Sequence, residues 1–269
     1  RYEMKVAIVG VGFVGNAVAR AFANCELLLI DPKLNTKIED IKQFEPQFTF
    51  ICVPTPSDDE GRVDTSIVEQ CTRYALLNTY STVIVKSTVP PSFVERFSNR
   101  IVLNPEFLTE RNAIEDMISS EYIILGGERG LTSRVKYLYS AYSQCWSKKF
   151  IRVSASEACW IKYITNTMLA IKVAYLNELH AAVNDPASWT NIVRVLRLDD
   201  RLGDSHWMVP GLDGKFGFGG ACFPKDSKAL LHEAQNLSIL DSAIKSNNRI
   251  RKQYEPDSRE REQNIKYDN

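Results

Sequence analysis

Along the chain, short apolar runs alternate with longer stretches whose apolar residues recur three and four apart. Runs of strand length fall at Lys5 to Val9, Glu26 to Ile30, Phe48 to Val53, Thr82 to Lys86, Arg100 to Leu103 and Glu121 to Leu125. Nearly continuous apolar runs separated by helical stretches predict a parallel sheet covered by helices on both faces, a doubly wound α/β domain. Each of the first five runs ends in a polar or glycine-rich turn: Gly10-Val11-Gly12, Asp31-Pro32, Pro54-Thr55-Pro56, Ser87-Thr88-Val89-Pro90 and Asn104-Pro105-Glu106. Ligands of open α/β sheets bind outside the carboxyl ends of the strands, so chemistry is expected at these turns.

From about Ser154 the pattern changes. Ser154 and Glu157 stand at capping-box spacing ahead of a helical pattern that runs to about Asn184. Thirty residues of helix span ~45 Å. Apolar residues such as Trp160, Ile161, Ile164, Met168, Leu169 and Leu176 cover more than one of its faces, which predicts burial on two sides, between domains or between subunits. Helical pattern resumes at Ser188 to Leu198 and from Pro224 to Lys252, on either side of a glycine-rich loop at Gly211 to Gly220. The predicted organisation is an α/β domain over residues 1–150 and a small all-α domain over 151–252. From Arg249 to Asn269, eleven of 21 residues are charged and four are apolar or aromatic, so 253–269 is expected to be a solvated, partly disordered tail.

Composition narrows the function classes. Lys+Arg and Asp+Glu both total 33, so no net field draws in nucleic acid or an anionic membrane, and any anion must be captured locally. No apolar run approaches the ~18 residues of a membrane span. A strand-like run already starting at Lys5 leaves no room for a signal peptide, and a cytoplasmic location is expected. Six cysteines without C-x-x-C spacing argue against a zinc site or a disulfide framework. His180, His206 and His232 lack metal-ligand spacing and read as structural or surface residues, so no metal is expected.

Gly10-Val11-Gly12-Phe13-Val14-Gly15 follows a strand and opens a helix, and Asp31 closes the next strand 21 residues after Gly10. In this dinucleotide-binding fingerprint of a Rossmann-like domain, the first glycine makes the tight turn, the second admits the pyrophosphate and the third lets helix and strand pack closely. A carboxylate at Asp31 accepts hydrogen bonds from the adenosine ribose and repels a 2′-phosphate, which favours NAD over NADP.

Three further constellations carry possible chemistry. Cys222 lies just before Pro224, a residue suited to the start of a helix, with Lys225 nearby and Asp226 one turn on. Helix dipole and ammonium both favour a thiolate, although a buried inert cysteine remains an open reading of the spacing. Lys162 and Asn166 are four apart on the long helix: either a snorkelling lysine and a surface amide, or a pair facing a developing oxyanion. Glu106 and Glu110 recur at helical spacing after a strand end, fitting acid/base work or a solvated first turn equally well.

Taken together, these residues resemble the UDP-glucose/GDP-mannose dehydrogenase family, most closely its UDP-glucose 6-dehydrogenases. The resemblance runs from about Met4 to Arg251 through seven ordered motifs: the Gly10 fingerprint, Val53 to Pro56, Lys86 to Pro90, Asn104 to Leu108, Glu157 to Glu178, Asp200-Arg201-Leu202-Gly203 and Phe216 to Asp226. It implies a cysteine nucleophile at Cys222 assisted by Asp226, oxyanion stabilisation by Lys162 and Asn166, water and cofactor positioning by Thr88, and acid/base work by Glu106 in thioester hydrolysis. It also implies cofactor contacts at Asp31, Thr55, Glu110 and Lys225. Glu106, Phe107, Leu108, Lys162, Asn166, Phe216 and Gly219 are implied in contact with a nucleotide-sugar substrate, as is Arg201, reaching in from a neighbouring subunit of a homodimer formed through the long helix 154–184. Family members continue beyond Ser246-Asn247-Asn248 into a third, UDP-gripping domain, where this sequence has its charged stretch, and the loop His206 to Lys215 is longer than the family spacing. Two other readings stay open: a two-electron dehydrogenase of the 6-phosphogluconate or hydroxyacid type, which the Gly-Gly-Ala-Cys222 segment opposes, and a non-catalytic or partner-dependent NAD-binding relative.

Overall fold

A computed structural model describes residues 4–97, 99–234 and 236–268. Arg1 to Glu3 and the last residue of the charged stretch lie outside the described residues. The strands are β1 (Lys5–Val9), β2 (Glu26–Ile30), β3 (Phe48–Ile51), β4 (Thr82–Val85), β5 (Ile101–Leu103), β6 (Ile123–Gly126) and β7 (Phe150–Val153). The helices are α1 (Phe13–Ala21), α2 (Ile41–Phe44), α3 (Ser66–Asn78), α4 (Pro91–Glu95), α5 (Ala113–Ser119), α6 (Arg129–Tyr142), α7 (Ala155–Val183), α8 (Pro186–Leu196), α9 (Phe223–Glu233), α10 (Ser238–Arg251) and α11 (Ser258–Glu262).

The chain divides into two compact units, residues 1–55 with 64–162, and residues 56–63 with 163–269. The first unit holds one seven-stranded sheet in the order β2-β1-β3-β4-β5-β6-β7. All neighbours are parallel except β5 and β6, which meet antiparallel at Leu103 and Gly126, and β7 extends the sheet beyond the six strands expected. Strand alternation sorts the core into two faces. Ala7 and Val9 pack on the α3 and α4 side with Val68, Ala75 and Phe93, whereas Val6 and Ile8 pack on the α1 and α6 side with Val18, Phe22 and Tyr139. Burial on both faces is why these strands read as unbroken apolar runs rather than alternating ones. From β1 the chain passes to β2 on one side and then crosses to β3 on the other, so the topological switch point lies between β1 and β3, where a ligand crevice is expected.

The second unit is mainly helical. Ala170, Ala174 and Phe218 form one small core with Phe223 and Ala243, and Leu176, Trp189 and Trp207 form another with Leu179 and Leu196. The helical stretch expected from Pro224 to Lys252 is two helices, broken near Asn236, whose φ of 69° is left-handed and cannot continue a helix.

The charged stretch after residue 252 is not the disordered tail expected from its composition. Asp257 caps α11 in a full capping box, Ile265 and Tyr267 are buried, and Glu260 is fully buried against Arg251 at 2.8 Å. Asn264 and Lys266 bind the 56–63 segment through Ser57 O at 3.1 Å and Asp59 at 2.5 Å. Asp257, Arg259, Glu260 and Lys266 meet specific partners, while Glu255, Arg261 and Glu262 stay exposed. Among the described residues, no helix is long and apolar enough to cross a membrane.

Candidate active site

The glycine turn after β1 is built as a close-approach turn. Gly10 has φ +88°, and a Cβ there would lie 2.7 Å from Cys52 O; a Cβ on Gly15 would lie 1.9 Å from Gly10 O. Gly12, the N-cap of α1, faces open space and makes no side-chain cap. The first N–H groups of α1 are therefore left to an outside acceptor. Asp31 is fixed beside the turn, its two oxygens accepting from Val11 N at 2.8 Å and Lys33 N at 2.9 Å. These residues fit a dinucleotide: a backbone cradle for pyrophosphate, with a carboxylate held at the end of β2 for a ribose. Phe13 and Val14 form the first turn of α1.

A second cluster of the first unit gathers the turns after β3, β4 and β5. Thr55, buried, donates from Oγ1 to Thr88 O at 3.0 Å, tying the ends of β3 and β4 together. Glu106 is buried, its Oε1 accepting from Lys162 Nζ at 2.9 Å and its Oε2 from Leu108 N at 2.7 Å; Lys162 also donates to Glu106 O at 2.6 Å. The Lys162 ammonium lies 5.3 Å from the centre of the half-exposed Phe107 ring. Both the snorkelling lysine and the solvated glutamate are thereby excluded. Glu110 does not share a helix with Glu106; it opens a separate 3₁₀ turn, Glu110–Asn112, and is exposed.

Next to this pair lies a network to which sequence reasoning gave no role. Lys86, at the end of β4 and 4% exposed, donates to Asn104 O at 3.2 Å and Oδ1 at 3.1 Å. Tyr139 OH donates to the same Oδ1 at 2.6 Å, and Asn104 Nδ2 donates to Ile124 O at 2.9 Å. Burial holds Lys86 below the usual lysine range, partly offset by Cys52 and Glu106. The available signal was a lysine ending the apolar run Thr82–Val85, at a depth where solvent cannot satisfy it.

In the second unit, Cys222 is the half-buried N-cap residue of α9, and Pro224 sits in the first turn as expected. Asp226, 1% exposed, accepts from Asn166 Nδ2 at 2.6 Å and Lys225 Nζ at 2.7 Å, and its own N–H donates to Cys222 O at 2.8 Å. Asn166 is buried, so it is no surface amide. Lys225 spends its charge on Asp226. Burial pushes the Cys25 and Cys71 thiols up to about 11 and Cys52 up to about 12.

The glycine loop before Cys222 is held by its surroundings. Gly220 N donates to Glu260 Oε1 at 3.0 Å, and Phe218 N and O both bond the Asn247 side chain. A Cβ on Gly219 would lie 1.8 Å from Arg251 Nη2. Phe216 packs its ring 5.5 Å from His180. Arg201 is not joined to these groups in the single chain: its side chain is 88% exposed and paired with Asp199 at 2.6 Å.

Residues 32–144 match the NAD binding domain of the UDP-glucose/GDP-mannose dehydrogenase family, and residues 156–249 match its central domain. The chain belongs to this family. The resemblance read from the motifs is thereby confirmed, although the Gly10 fingerprint lies ahead of the matched span. A UDP-glucose 6-dehydrogenase of Rickettsia bellii is 32% identical over 78% of this chain and 50% of its own length. One from Campylobacter jejuni is 29% identical over 93% of this chain and 73% of its own. The chain thus spans half to about three quarters of these curated relatives, and 64% of a Bacillus subtilis one. In fold it is similar to a UDP-glucose dehydrogenase structure from Pyrobaculum islandicum, with TM-score 0.73 and 23% identity over 92% of this chain and 68% of that one. The family is one of NAD-dependent nucleotide-sugar dehydrogenases.

Proposed function

We propose that the chain carries out a four-electron oxidation of the C6 alcohol of a nucleotide sugar to a carboxylate through a thioester on Cys222, with UDP-glucose to UDP-glucuronate the favoured pair. The observation that supports it most is the Cys222 constellation: a half-buried cysteine at a helix N-cap, one turn ahead of a buried Asp226 gripped by Asn166 and Lys225. The helix N-terminus lowers the cost of a thiolate at Cys222, while the Lys225 ammonium is committed to Asp226. The supporting resemblance is to relatives named as UDP-glucose 6-dehydrogenases.

The Gly10 to Gly15 turn with Asp31, Thr55, Thr88, Glu110 and Lys225 would hold NAD, and two NAD molecules bound one after the other would each supply the acceptor for one hydride. The protein's part is the following. As the alcohol gives up its C6 hydride to the cofactor and its hydroxyl proton to water, the resulting aldehyde is captured by Cys222 Sγ, giving a thiohemiacetal that cannot diffuse away. The Lys162 ammonium and the Asn166 amide stabilise the developing oxyanion, and a second hydride loss leaves a thioester. Thr88 orients a water, Glu106 takes its proton, and attack on the carbonyl expels the Cys222 thiolate with Asp226 assisting. Phe107, Leu108, Phe216 and Gly219 contact the substrate. Arg201 does so from the second copy of a homodimer formed through α7, which accounts for its outward orientation. The protein works in the cytoplasm, and the carboxylate at Asp31 favours NAD over NADP.

The test is the number of NADH formed per UDP-glucose consumed by the intact chain. Two NADH per substrate, abolished in Cys222→Ala and Cys222→Ser, is expected. No NADH from UDP-glucose or related sugar nucleotides, despite measurable NAD binding, would overturn the reading.

A further inference from the structure

Asn104 is a junction. All of its side-chain polar atoms are engaged, Oδ1 by Lys86 and Tyr139 and Nδ2 by Ile124 O, and its main-chain N–H and C=O are engaged as well, by Val85 O and Lys86. It is 2% exposed, and the residues that bind it come from β4, α6 and β6. Only Pro105 separates it from Glu106, and a proline ring fixes φ of that intervening residue. Two residues on, Lys162 holds both the carbonyl and the carboxylate of Glu106. A short segment with no regular secondary structure is thus gripped at Asn104 from below and at Glu106 from α7. The cost of a fully buried lysine without a carboxylate in contact has to be compensated by what that lysine holds.

We propose that Lys86 is a positioning residue: by fixing Asn104 it sets, through the rigid Pro105 step, the carboxylate of Glu106 against Lys162 and Leu108 N. Lys86 touches neither the carboxylate nor any reacting group in this arrangement; it acts through Asn104. The consequence for catalysis rests on the reading of Glu106 as the acid/base carboxylate of thioester hydrolysis. The positional claim itself does not.

The two are separated by measuring both. In the full chain, Lys86→Met is expected to speed amide exchange at Leu108, whose N–H donates to Glu106 Oε2, by about tenfold, the scale of one net hydrogen bond, while α1 and β1 amides keep their protection. Unchanged exchange at Leu108 in the folded variant overturns the proposal; should Lys86→Met not fold, Lys86→Gln is read by the same criterion. During turnover with NAD and UDP-glucose, intact mass should show an acyl adduct on Cys222 building up in Glu106→Gln and, to a lesser degree, in Lys86→Met. The Lys86→Met effect should vanish in the Glu106→Gln background, because a positioning residue acts only through the group it positions. Additive effects in the double variant overturn the proposal and leave Lys86 a general stabiliser. If Glu106→Gln accumulates no adduct, the role assigned to Glu106 fails, and the Leu108 exchange still decides the role of Lys86.

Discussion

At Gly219 the absence of a side chain is a packing requirement rather than a need for backbone freedom. Its Cβ would lie 1.8 Å from Arg251 Nη2 and 2.6 Å from Glu260 Oε1, the ends of an ion pair in which each side chain is 1% exposed. Flexible ends usually yield to an added methyl, but these are fixed: Arg251 also binds Asp213 at 2.8 Å, and Glu260 also accepts from Tyr267 OH at 2.6 Å. Forcing them apart weakens a buried ion pair, whose outright loss costs about 3–5 kcal/mol, and strains the bonds to Asp213 and Tyr267 as well. Gly219→Ala should therefore lower stability by roughly 3 kcal/mol in urea unfolding. A loss below ~0.5 kcal/mol, the range of an ordinary surface substitution, would show that the pair re-forms around the methyl and is softer than its geometry implies.

Among the elements, those whose residues answer to neighbours in sequence were legible and those whose residues answer to distant partners were not. β1 and β2 were placed to the residue and α7 to within one, because strand burial on two faces and the Ser154–Glu157 capping pair leave local marks. β7 escaped because it is an edge strand of four residues interrupted by the exposed Arg152, so its apolar run is too short to stand out. Cys222, Asp226, Lys162 and Asn166 were each named from spacing and resemblance, but not that Asp226 is what Asn166 binds, since that pairing spans sixty residues. The charged C-terminal stretch misled for the same reason: its composition suggests solvation, while Glu260 meets Arg251 and Gly220 and Lys266 meets Asp59. Glu260 gives this element a pH dependence. Burial raises its carboxyl, but hydrogen bonds from Tyr267, Asp257 N, Gly220 N and Arg251 outweigh it, leaving it below the ordinary 4.5. A depressed carboxylate contributes stability that is present above its unfolded value and lost as pH falls through its folded one. Acidification below about 4.5 should thus release residues 254–268, seen as faster exchange at the Gly220 amide before β1 and β3 lose protection. Simultaneous loss of all three would mean that this stretch unfolds only with the whole chain.

For the whole molecule, the remaining question is what covers α7. Ile164, Met168 and Tyr175 are 46%, 66% and 60% exposed. At 100° per residue, they lie within about 40° of one another, so they form a stripe rather than scattered apolar residues. Single exposed hydrophobics are ordinary, but an aligned row on the longest helix is not what a solvated face requires. On α8, Val195 is 55% exposed, and Leu198 just beyond its end is 78% exposed. With Lys+Arg and Asp+Glu both at 33, no net charge opposes self-association. A two-fold interface repeats each contact, so one substitution enters it twice. The intact chain should sediment at twice its 30.5 kDa at about 10 μM, and Met168→Glu should shift it to a monomer by placing two like charges in one apolar contact. In the monomer Arg201 has no second copy to reach, so activity should fall together with mass while NAD binding is retained. A wild-type chain that is monomeric yet fully active would separate Arg201 from the substrate and leave the α7 stripe without a role in turnover.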